Sequence, residues 1–389
     1  FWFFCCRVFF LVDIFQAKIY RIMQDIDFSK LEITLTKTPK TMPPKDDLLF
    51  GKHLSDHMLE IEWEEGKGWG EPRIVPQHDL VLSPAAQCFH YGMEVFEGLK
   101  AYKDEEGKAR LFRPLLNFQR LKKSCERLSL PSFNPEEALK CMRKLVEVDQ
   151  KWIPEMRGYS LYLRPTVVST SCKLGLASPN KALMFVIMSP SGPYFASGFK
   201  PVSLYATTEF VRAWPGGVGS CKCGGNYAPT ILPQKIAKEK GCNQVLWLFG
   251  EKNYVTEVGA MSFFVVIKDK ETGKPEVITA SLADGTILPS ITRRSVIELV
   301  KSYPEYTMSE RDCSMEEIVE AAKDGRLVES FGTGTAAIVV PINKILYEKD
   351  DIEIPCEMDG DCGVLTHKLF NTLLDIQFGV KEHEWSEFL

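Results

Sequence analysis

The sequence has no excess of positive charge and no paired cysteine motif. Its 389 residues carry 47 lysines and arginines against 52 acidic side chains, a formal net charge of −5. This balance gives no general attraction to a nucleic-acid backbone or an anionic lipid surface, so nucleic acid is not an expected partner. The 12 cysteines are scattered, without the CxxC pairs of a structural zinc site, and no metal is expected. We interpret them as reduced thiols of an intracellular protein.

The chain also lacks an apolar run long enough to span a membrane. Its most apolar stretch, FWFFCCRVFFLVDIF, is shorter than the roughly 20 residues that a membrane helix needs, and it contains Arg7 and Asp13. Met23 is the first methionine, so we interpret residues 1–22 as a non-native or targeting tail and expect no stable membrane association. No Arg-rich, acid-poor presequence follows Met23, which favours a cytoplasmic location over a mitochondrial one.

Hydrophobic periodicity predicts helices and strands mixed along the chain, without a strict βαβ order or an internal repeat. Apolar residues recur with helical spacing at 136–152, 229–240, 290–303 and 314–323. Apolar and β-branched runs predict strands at 181–190, 202–207, 244–249 and 262–267. Ser314 and Glu317 fit a capping box at the start of the last of these helices.

A stretch rich in proline, glycine and serine, SPSGPYFASGFKP, divides these elements into two groups. Its composition is typical of a linker between domains. We therefore predict a small domain over 23–188, a linker over 189–201 and a larger domain over 202–389. The expected fold class is α/β, or α+β, with mixed sheets in two domains.

The stretch SCKCGGNYAPT places a lysine on a tight, irregular connection. Lys222 lies between Cys221 and Cys223 and is followed by glycines and an asparagine, which accept backbone angles that other residues resist. The backbone can therefore set the direction of Lys222, although most loop lysines are simply solvated.

Two segments of the larger domain can hold an anion. The helix after GTILP exposes N-terminal amides that have no intrahelical acceptor and suit a phosphate. The loop FGTGTAA, at 331–337, combines glycines with two threonine hydroxyls. It also matches the dinucleotide pattern GxGxxA, but IVVPIN follows and predicts a strand where that motif needs a helix. Nicotinamide binding is therefore disfavoured.

One acid and two arginines stand at the borders of apolar strands. Glu257 begins such a strand in TEVGAMSFF, Arg113 ends one in RLFRP, and Arg164 ends one in LYLRP. Each is compatible with an ordinary solvated charge at a sheet edge. The acid equally suits a buried cationic partner, and the arginine forks suit phosphate and carboxylate.

Pyridoxal phosphate needs every member of this set. Its aldehyde requires a lysine amine for a Schiff base, its pyridine nitrogen requires a carboxylate, and its phosphate requires several donors. Composition alone does not establish this cofactor, but it makes the combination coherent.

The order of the motifs resembles one family over about residues 50–385. FGKHLSDHMLEIEW, FEGLKAY, RLFRP, RAWPGGVG, CKCGGNYAPT, QVLWLFG, TEVGAM, FGTGTA and HEWSEF are similar to segments of the eukaryotic branched-chain amino acid aminotransferases. These are fold-type IV pyridoxal-phosphate enzymes. The resemblance implies a smaller N-terminal α/β domain and a larger C-terminal domain with its sheets in a pseudo-barrel.

The resemblance also implies roles for individual residues. Lys222 would form the Schiff base and move the proton, and Tyr227 and Glu257 would bond the phenolic oxygen and the pyridine nitrogen of the cofactor. The phosphate would be held by Arg113, Ile291, Thr292 and Thr335, and the substrate α-carboxylate by the amides of Thr335 and Ala336.

The implied substrates are leucine, isoleucine or valine as amino donors and 2-oxoglutarate as acceptor, with glutamate as the product. An apolar pocket would be walled by Phe50, Phe96, Tyr162, Tyr194 and Ala336. Tyr91, Leu174 and Leu176 would come from the neighbouring subunit, so a homodimer is implied. Arg164 is the candidate partner for the second carboxylate of glutamate. Such a wall favours branched aliphatic side chains because their burial is favourable.

The sequence departs from the family at several positions. Ala337 and Val340 stand where animal members usually carry a CxxC pair, so redox switching through that pair is not expected. Ala260 and Ser290 stand where threonine and glycine are common. Cys221 and Cys223 are expected to pack as small apolar residues.

Two other interpretations stay open at this point. One is another fold-type IV enzyme, a D-amino acid aminotransferase or an aminodeoxychorismate lyase. The other is a non-catalytic binding protein, which would have no reason to keep Lys222 together with Glu257.

Overall fold

The computed structural model describes residues 24–193, 199–358 and 360–389. The helices of this part are α1 (Gln87–Tyr91), α2 (Pro114–Arg127), α3 (Pro135–Val148), α4 (Ile231–Glu239), α5 (Ile291–Lys301), α6 (Met315–Lys323) and α7 (Val364–Gln377). None of them is both long and apolar enough to cross a membrane.

Ten strands belong to a first, mostly antiparallel sheet. They are β1 (Glu32–Ile33), β2 (His57–Glu64), β3 (Gly68–Trp69), β4 (Arg73–Pro76), β5 (Glu94–Phe96), β6 (Leu99–Lys103), β7 (Ala109–Phe112), β8 (Ser160–Ser169), β9 (Lys181–Ser191) and the C-terminal β19 (Ser386–Phe388). The main order is β1-β4-β2-β9-β8-β6-β7-β19. The chain therefore returns to its first sheet at its C-terminus.

The second sheet has nine strands. They are β10 (Val202–Thr207), β11 (Gln244–Phe249), β12 (Tyr254–Val258), β13 (Met261–Lys268), β14 (Pro275–Thr279), β15 (Thr307–Glu310), β16 (Leu327–Gly334), β17 (Ile338–Tyr347) and β18 (Asp350–Glu353). The order β12-β11-β10-β17-β16-β13 closes on itself, because β12 also pairs with β13. The closure makes a barrel.

Local sequence explains the elements that frame the site. In β13, the run Met261–Ile267 is buried throughout, as expected for a strand covered on both faces. Helix α3 begins at Pro135 after Asn134, whose side chain accepts from the amides of Glu136 and Glu137. The helix predicted over 136–152 ends earlier, at Val148, and a short 3₁₀ turn follows at Gln150–Trp152.

The segment 331–337 was expected to be a loop, and this expectation is wrong for most of it. Residues 331–334 belong to β16, and only Thr335 to Ala337 form the turn into β17. The glycines serve close packing instead of a bend. A Cβ at Gly332 would lie 2.9 Å from Val258 Cγ1, and a Cβ at Gly334 would lie 3.2 Å from Met261 Cγ.

Arg164 was expected to end a strand, and this is also wrong. It lies inside β8, which continues to Ser169. The first residues of the predicted linker, from Ser189 to Ser191, likewise belong to β9. The division into domains remains a prediction.

A buried carboxylate fastens α7 to the barrel. Glu329, on β16, accepts hydrogen bonds from the amides of Leu365 and Thr366 at 2.9 and 2.8 Å and from the Thr366 hydroxyl at 2.6 Å. It therefore supplies from another element the cap that Gly363, the residue before the helix, does not provide.

We predict that Glu329→Gln lowers the free energy of unfolding by about 1 to 3 kcal/mol, because an amide nitrogen would face backbone donors inside the protein. Glu353→Gln, at an exposed carboxylate, is the matched control and should change it by less than about 0.5 kcal/mol. Urea unfolding of both variants measures the difference. Equal stability of the two variants would contradict the cap.

Candidate active site

A cavity of about 340 Å³ lies between the two sheets. Phe96 and Tyr162 of the first sheet face it from one side, and Glu257 and Thr335 of the second sheet face it from the other. Lys222, on the connection between β10 and α4, also lines it. The cavity therefore depends on both sheets being in place.

The backbone of Lys222 is held on both sides. Its amide donates to Ser124 Oγ at 2.9 Å, and its carbonyl accepts from the Phe96 amide at 3.0 Å. Its Nζ donates to the Tyr227 hydroxyl at 2.9 Å and lies 4.6 Å from the centroid of the Phe96 ring. A 3₁₀ turn at Gly224–Asn226 follows directly. The irregular connection predicted from the sequence thus aims this amine into the cavity.

Glu257 is the buried acid of the cavity, with 2% of its surface exposed. Its Oε2 lies 2.5 Å from Arg212 Nη1, and both side chains are buried. Burial raises the pKa of Glu257, and the positive charges of Arg212 and Lys222 pull it back down. Among the groups that lower the pKa of Glu257, Arg212 therefore has the largest effect.

A candidate anion cradle lies where α2 and the start of α5 meet. Ser290 caps α5 by accepting from the Arg293 amide, and the amides of Ile291 and Thr292 precede the first intrahelical bond, from Arg294 to Ser290. Both Ser290 and Arg120 line the cavity.

Arg120 is anchored beside this helix end. Its Nε and Nη2 donate to the two oxygens of Glu97 at 2.6 and 2.8 Å, and its Nη1 donates to the Pro289 carbonyl at 3.0 Å. The guanidinium is thereby fixed in direction, and a positive charge lies next to a helix N-terminus.

One wall of the cavity is aromatic. The Phe50 and Tyr162 rings meet edge to face at 4.7 Å, and the Phe96 and Tyr227 rings lie 5.0 Å apart. Arg164 lies over Phe96 at 4.9 Å and donates to the Tyr162 hydroxyl at 3.1 Å. A cation is therefore present at the edge of an otherwise apolar surface.

The lining fits a polar, phosphorylated ligand. Ser262 Oγ, Thr333 Oγ1 and Arg164 Nε are buried and have no hydrogen-bond partner among the described residues. Buried polar atoms without partners cost free energy that a bound ligand can recover. An amine, a buried carboxylate, an arginine and a helix N-terminus in one cavity are the donors and acceptors that pyridoxal phosphate requires.

Most of the residues predicted from the sequence line this one cavity. They are Phe50, Phe96, Tyr162, Arg164, Lys222, Tyr227, Glu257, Thr335 and Ala336. The departures Ala260, Ser290 and Ala337 line it as well. Cys221 and Cys223 are each 3% exposed and belong to the apolar core of the first sheet.

Arg113 does not line the cavity. Its Nη1 donates to Ser295 Oγ and to Glu298, each at 3.0 Å, and its guanidinium stacks 4.5 Å from the Trp385 ring. Arg113 directly precedes α2 and has a left-handed φ of 47°. Arg120, seven residues later, is the arginine that the structure brings to the cavity.

Other predicted residues lie away from the lining. Ile291 and Thr292 are buried at the start of α5, and only their amides are candidates for contact. Tyr91, Leu174 and Leu176 are 40%, 70% and 74% exposed in the single chain. Tyr194 lies outside the described residues.

Sequence reasoning missed Arg120 and Ser262. A signal for Arg120 is present in α2, where Asn117, Arg120 and Ser124 follow one another at helical spacing beside the buried apolar residues. A polar row next to an apolar stripe indicates buried hydrogen bonds. Ser262 and Thr333 lie opposite each other on β13 and β16, which is visible only from the strand register.

We predict that Arg212→Met destabilises the cofactor-free protein more at pH 8 than at pH 5. The folded pKa of Glu257 is raised above its ordinary value of 4.5, so its ionisation costs stability as pH rises, and the cost grows without Arg212. At pH 8 the loss should reach about 3 kcal/mol in urea unfolding. In a Glu257→Gln background the pH dependence of the loss should vanish. A loss of equal size at both pH values would contradict the assignment.

Comparisons with known proteins agree with this site. Residues 94–345 match the family described as amino-transferase class IV. The branched-chain-amino-acid aminotransferase of Dictyostelium discoideum is 48% identical over 362 residues, covering 93% of this chain and 95% of the relative. The cytosolic enzyme of that name from Saccharomyces cerevisiae is 47% identical, covering 93% and 97%, and the mitochondrial one from Bos taurus is 47% identical, covering 91% and 90%.

Solved structures show the same fold. The branched-chain amino acid aminotransferase of Thermobaculum terrenum, solved in its PLP form, has a TM-score of 0.68 and 21% identity, covering 86% of this chain and 98% of that one. The Escherichia coli enzyme of that name has a TM-score of 0.67 and 24% identity, covering 84% and 97%. The family match and the shared fold show that this chain is a class IV aminotransferase of fold type IV. Its identity to relatives over more than nine-tenths of its length shows that it belongs to the branched-chain-amino-acid aminotransferase family.

Proposed function

We propose that this protein is a pyridoxal-phosphate-dependent branched-chain amino acid aminotransferase. It transfers the amino group of L-leucine, L-isoleucine or L-valine reversibly to 2-oxoglutarate and yields branched 2-oxo acids and L-glutamate. The observation that carries the proposal is one cavity that holds an aimed lysine, Lys222, and a buried carboxylate, Glu257, beneath an aromatic wall. The extended identity to relatives of that name supports the substrate class.

The cavity residues can hold each part of the cofactor. Glu257 suits the pyridine nitrogen, because Arg212 favours its ionised form, and Tyr227 suits the phenolic oxygen. The phosphate has Thr335, the amides at the start of α5 and a fixed arginine available. We assign this role to Arg120, which lines the cavity, instead of Arg113, which bonds to Glu298 outside it.

Lys222 is the proposed base and acid of the reaction. When bound, pyridoxal phosphate supplies the aldehyde that takes up the amino group and the ring that accepts electrons. The amine of Lys222 takes the proton from the α-carbon of the amino acid. In the reverse reaction it returns a proton to the α-carbon of the 2-oxo acid. Tyr227 Oη accepts from Lys222 Nζ at 2.9 Å, so the hydroxyl orients this amine in the cofactor-free protein.

The same cavity can accept two different side chains. The amides of Thr335 and Ala336, two residues that line the cavity, are the proposed donors to the α-carboxylate that all the substrates share. Phe50, Phe96 and Tyr162 exclude water around a branched aliphatic chain, whose burial is worth about 1.5 to 3 kcal/mol. Arg164, at the edge of this wall, can pair with the second carboxylate of glutamate.

A homodimer is part of the proposal. The exposure of Tyr91, Leu174 and Leu176 in the single chain supports their contribution to the cavity of a neighbouring subunit. Relatives bear both cytosolic and mitochondrial names, so the cytoplasmic location remains a prediction.

We predict that Lys222→Ala abolishes the absorbance band of the bound cofactor and lowers leucine transamination by roughly a thousandfold or more. Lys252→Ala, at an exposed lysine, is the control and should retain both. A spectrum and a coupled assay with L- and D-amino acids measure the outcome. Wild-type activity limited to D-amino acids, or leucine turnover by Lys222→Ala, would overturn the proposed function.

We predict that Arg120→Lys weakens cofactor binding by on the order of tenfold, while Arg113→Lys changes it less than about threefold. Lysine keeps a charge against Glu97 but loses the fixed fork at the cavity. Titration of the cofactor-free protein with pyridoxal phosphate compares the two variants directly. If Arg113→Lys is the weaker binder, the assignment from the sequence is the correct one.

A further inference from the structure

Lys100 is a buried lysine that the proposed chemistry does not use. It lies on β6 and is 7% exposed, with its backbone paired to Tyr162 of β8. Its Nζ donates to the carbonyl of Ala336 at 2.7 Å. Ala336 lies in the turn that joins β16 to β17 and lines the active-site cavity. Lys100 therefore touches that turn from behind.

No carboxylate partner for Lys100 occurs within the part of the chain that the structure describes. The neighbouring Lys200, which borders the same small cavity behind the turn, is different, because it pairs with Asp361 at 2.7 Å. Burial lowers the pKa of Lys100 to about 8, so the amine stays mostly charged at pH 7. An unpaired buried ammonium is costly and is expected where it has a use.

The turn that Lys100 contacts is strained. Ile338, directly after Ala337, has a φ of 64°, a left-handed conformation that is unusual for a β-branched residue. Such strain persists only where the surroundings hold the backbone in place. The bond from Lys100 to Ala336 is one contact that does so.

The bond also has an electronic consequence. The carbonyl of Ala336 and the amide of Ala337 belong to one peptide unit, and a cation on the carbonyl polarises the amide as a donor. This amide is next along the turn from those of Thr335 and Ala336, the proposed donors to the α-carboxylate, and Ala337 also lines the active-site cavity. A positive charge behind the turn thus favours an anion in front of it.

We propose that Lys100 is a positioning residue for the substrate carboxylate: it fixes the turn Thr335 to Ala337 from behind and lends it positive charge. The inference rests on the proposed function and deepens it, because it assigns the α-carboxylate subsite a buried cation that does not itself touch substrate. Its effect should appear in carboxylate binding and not in cofactor binding.

The test uses the holoenzyme and 4-methylvaleric acid, a carboxylate with the carbon skeleton of leucine but no amino group. Binding is followed through the cofactor absorbance, so no turnover is needed. Lys100→Met should weaken the acid by on the order of tenfold, raise KM for leucine and glutamate alike, and change kcat little. Affinity for pyridoxal phosphate should remain that of the wild type.

Two further variants make the result specific. Lys100→Arg should restore most of the affinity, because a cavity of about 120 Å³ beside Lys100 can take the larger head group. Lys103→Met is the matched control on the same strand, since Lys103 pairs with Glu155 at 2.8 Å and lines neither cavity. It should bind the acid as the wild type does.

The outcomes separate this inference from the proposed function. An active wild type together with full affinity of Lys100→Met for the acid would overturn the role of Lys100 alone. If Lys100→Met does not fold, Lys100→Gln takes its place with the same expected direction, and wild-type affinity in that variant would also overturn the inference. A wild type that fails to transaminate leucine would instead overturn the function.

Discussion

A negative charge with almost no access to solvent is the constraint on which this site depends. Glu257 is 2% exposed, and burial raises the pKa of its carboxyl by disfavouring the charged form. Arg212 on one side and Lys222 on another supply the compensating charge. The barrel closure between β12 and β13 places Glu257 where both can reach it. The pairing of strands and the ionisation of one carboxylate are therefore linked.

A second buried ion pair connects the first sheet to the proposed phosphate cradle. Glu97 follows β5, accepts from Arg120 with both oxygens and also accepts from Asn117. Breaking a buried pair leaves an uncompensated charge, at a cost of about 3 to 5 kcal/mol. The helix that carries Arg120 also binds the backbone of Lys222 through Ser124. Helix α2 thus fixes the positions of Arg120 and of the Lys222 backbone, which lie at two ends of one cavity.

Local chemistry made part of the site predictable from sequence. Lys222 and Glu257 stand in short segments whose backbone freedom and strand pattern are visible in the residues themselves, whereas Tyr227 was expected from the family resemblance. All three line the cavity. The structure brings Arg120 and not Arg113 to the cavity. Arg113 precedes α2 and Arg120 lies within it, and only the packing of this segment shows which of the two faces the cavity. The return of β19 to the first sheet and the barrel closure are long-range pairings that periodicity does not encode.

Accepting both leucine and glutamate poses opposite demands on one wall. An apolar surface gains from an aliphatic chain, whereas a second carboxylate needs a partner wherever water is excluded. In the proposed function Arg164 meets both demands, because its guanidinium lies against the Phe96 ring and bonds to Tyr162, while its Nε has no hydrogen-bond partner among the described residues. Stacking on an aromatic face offsets part of the cost of keeping that cation beside an apolar substrate. The charge is thus available to glutamate without excluding leucine.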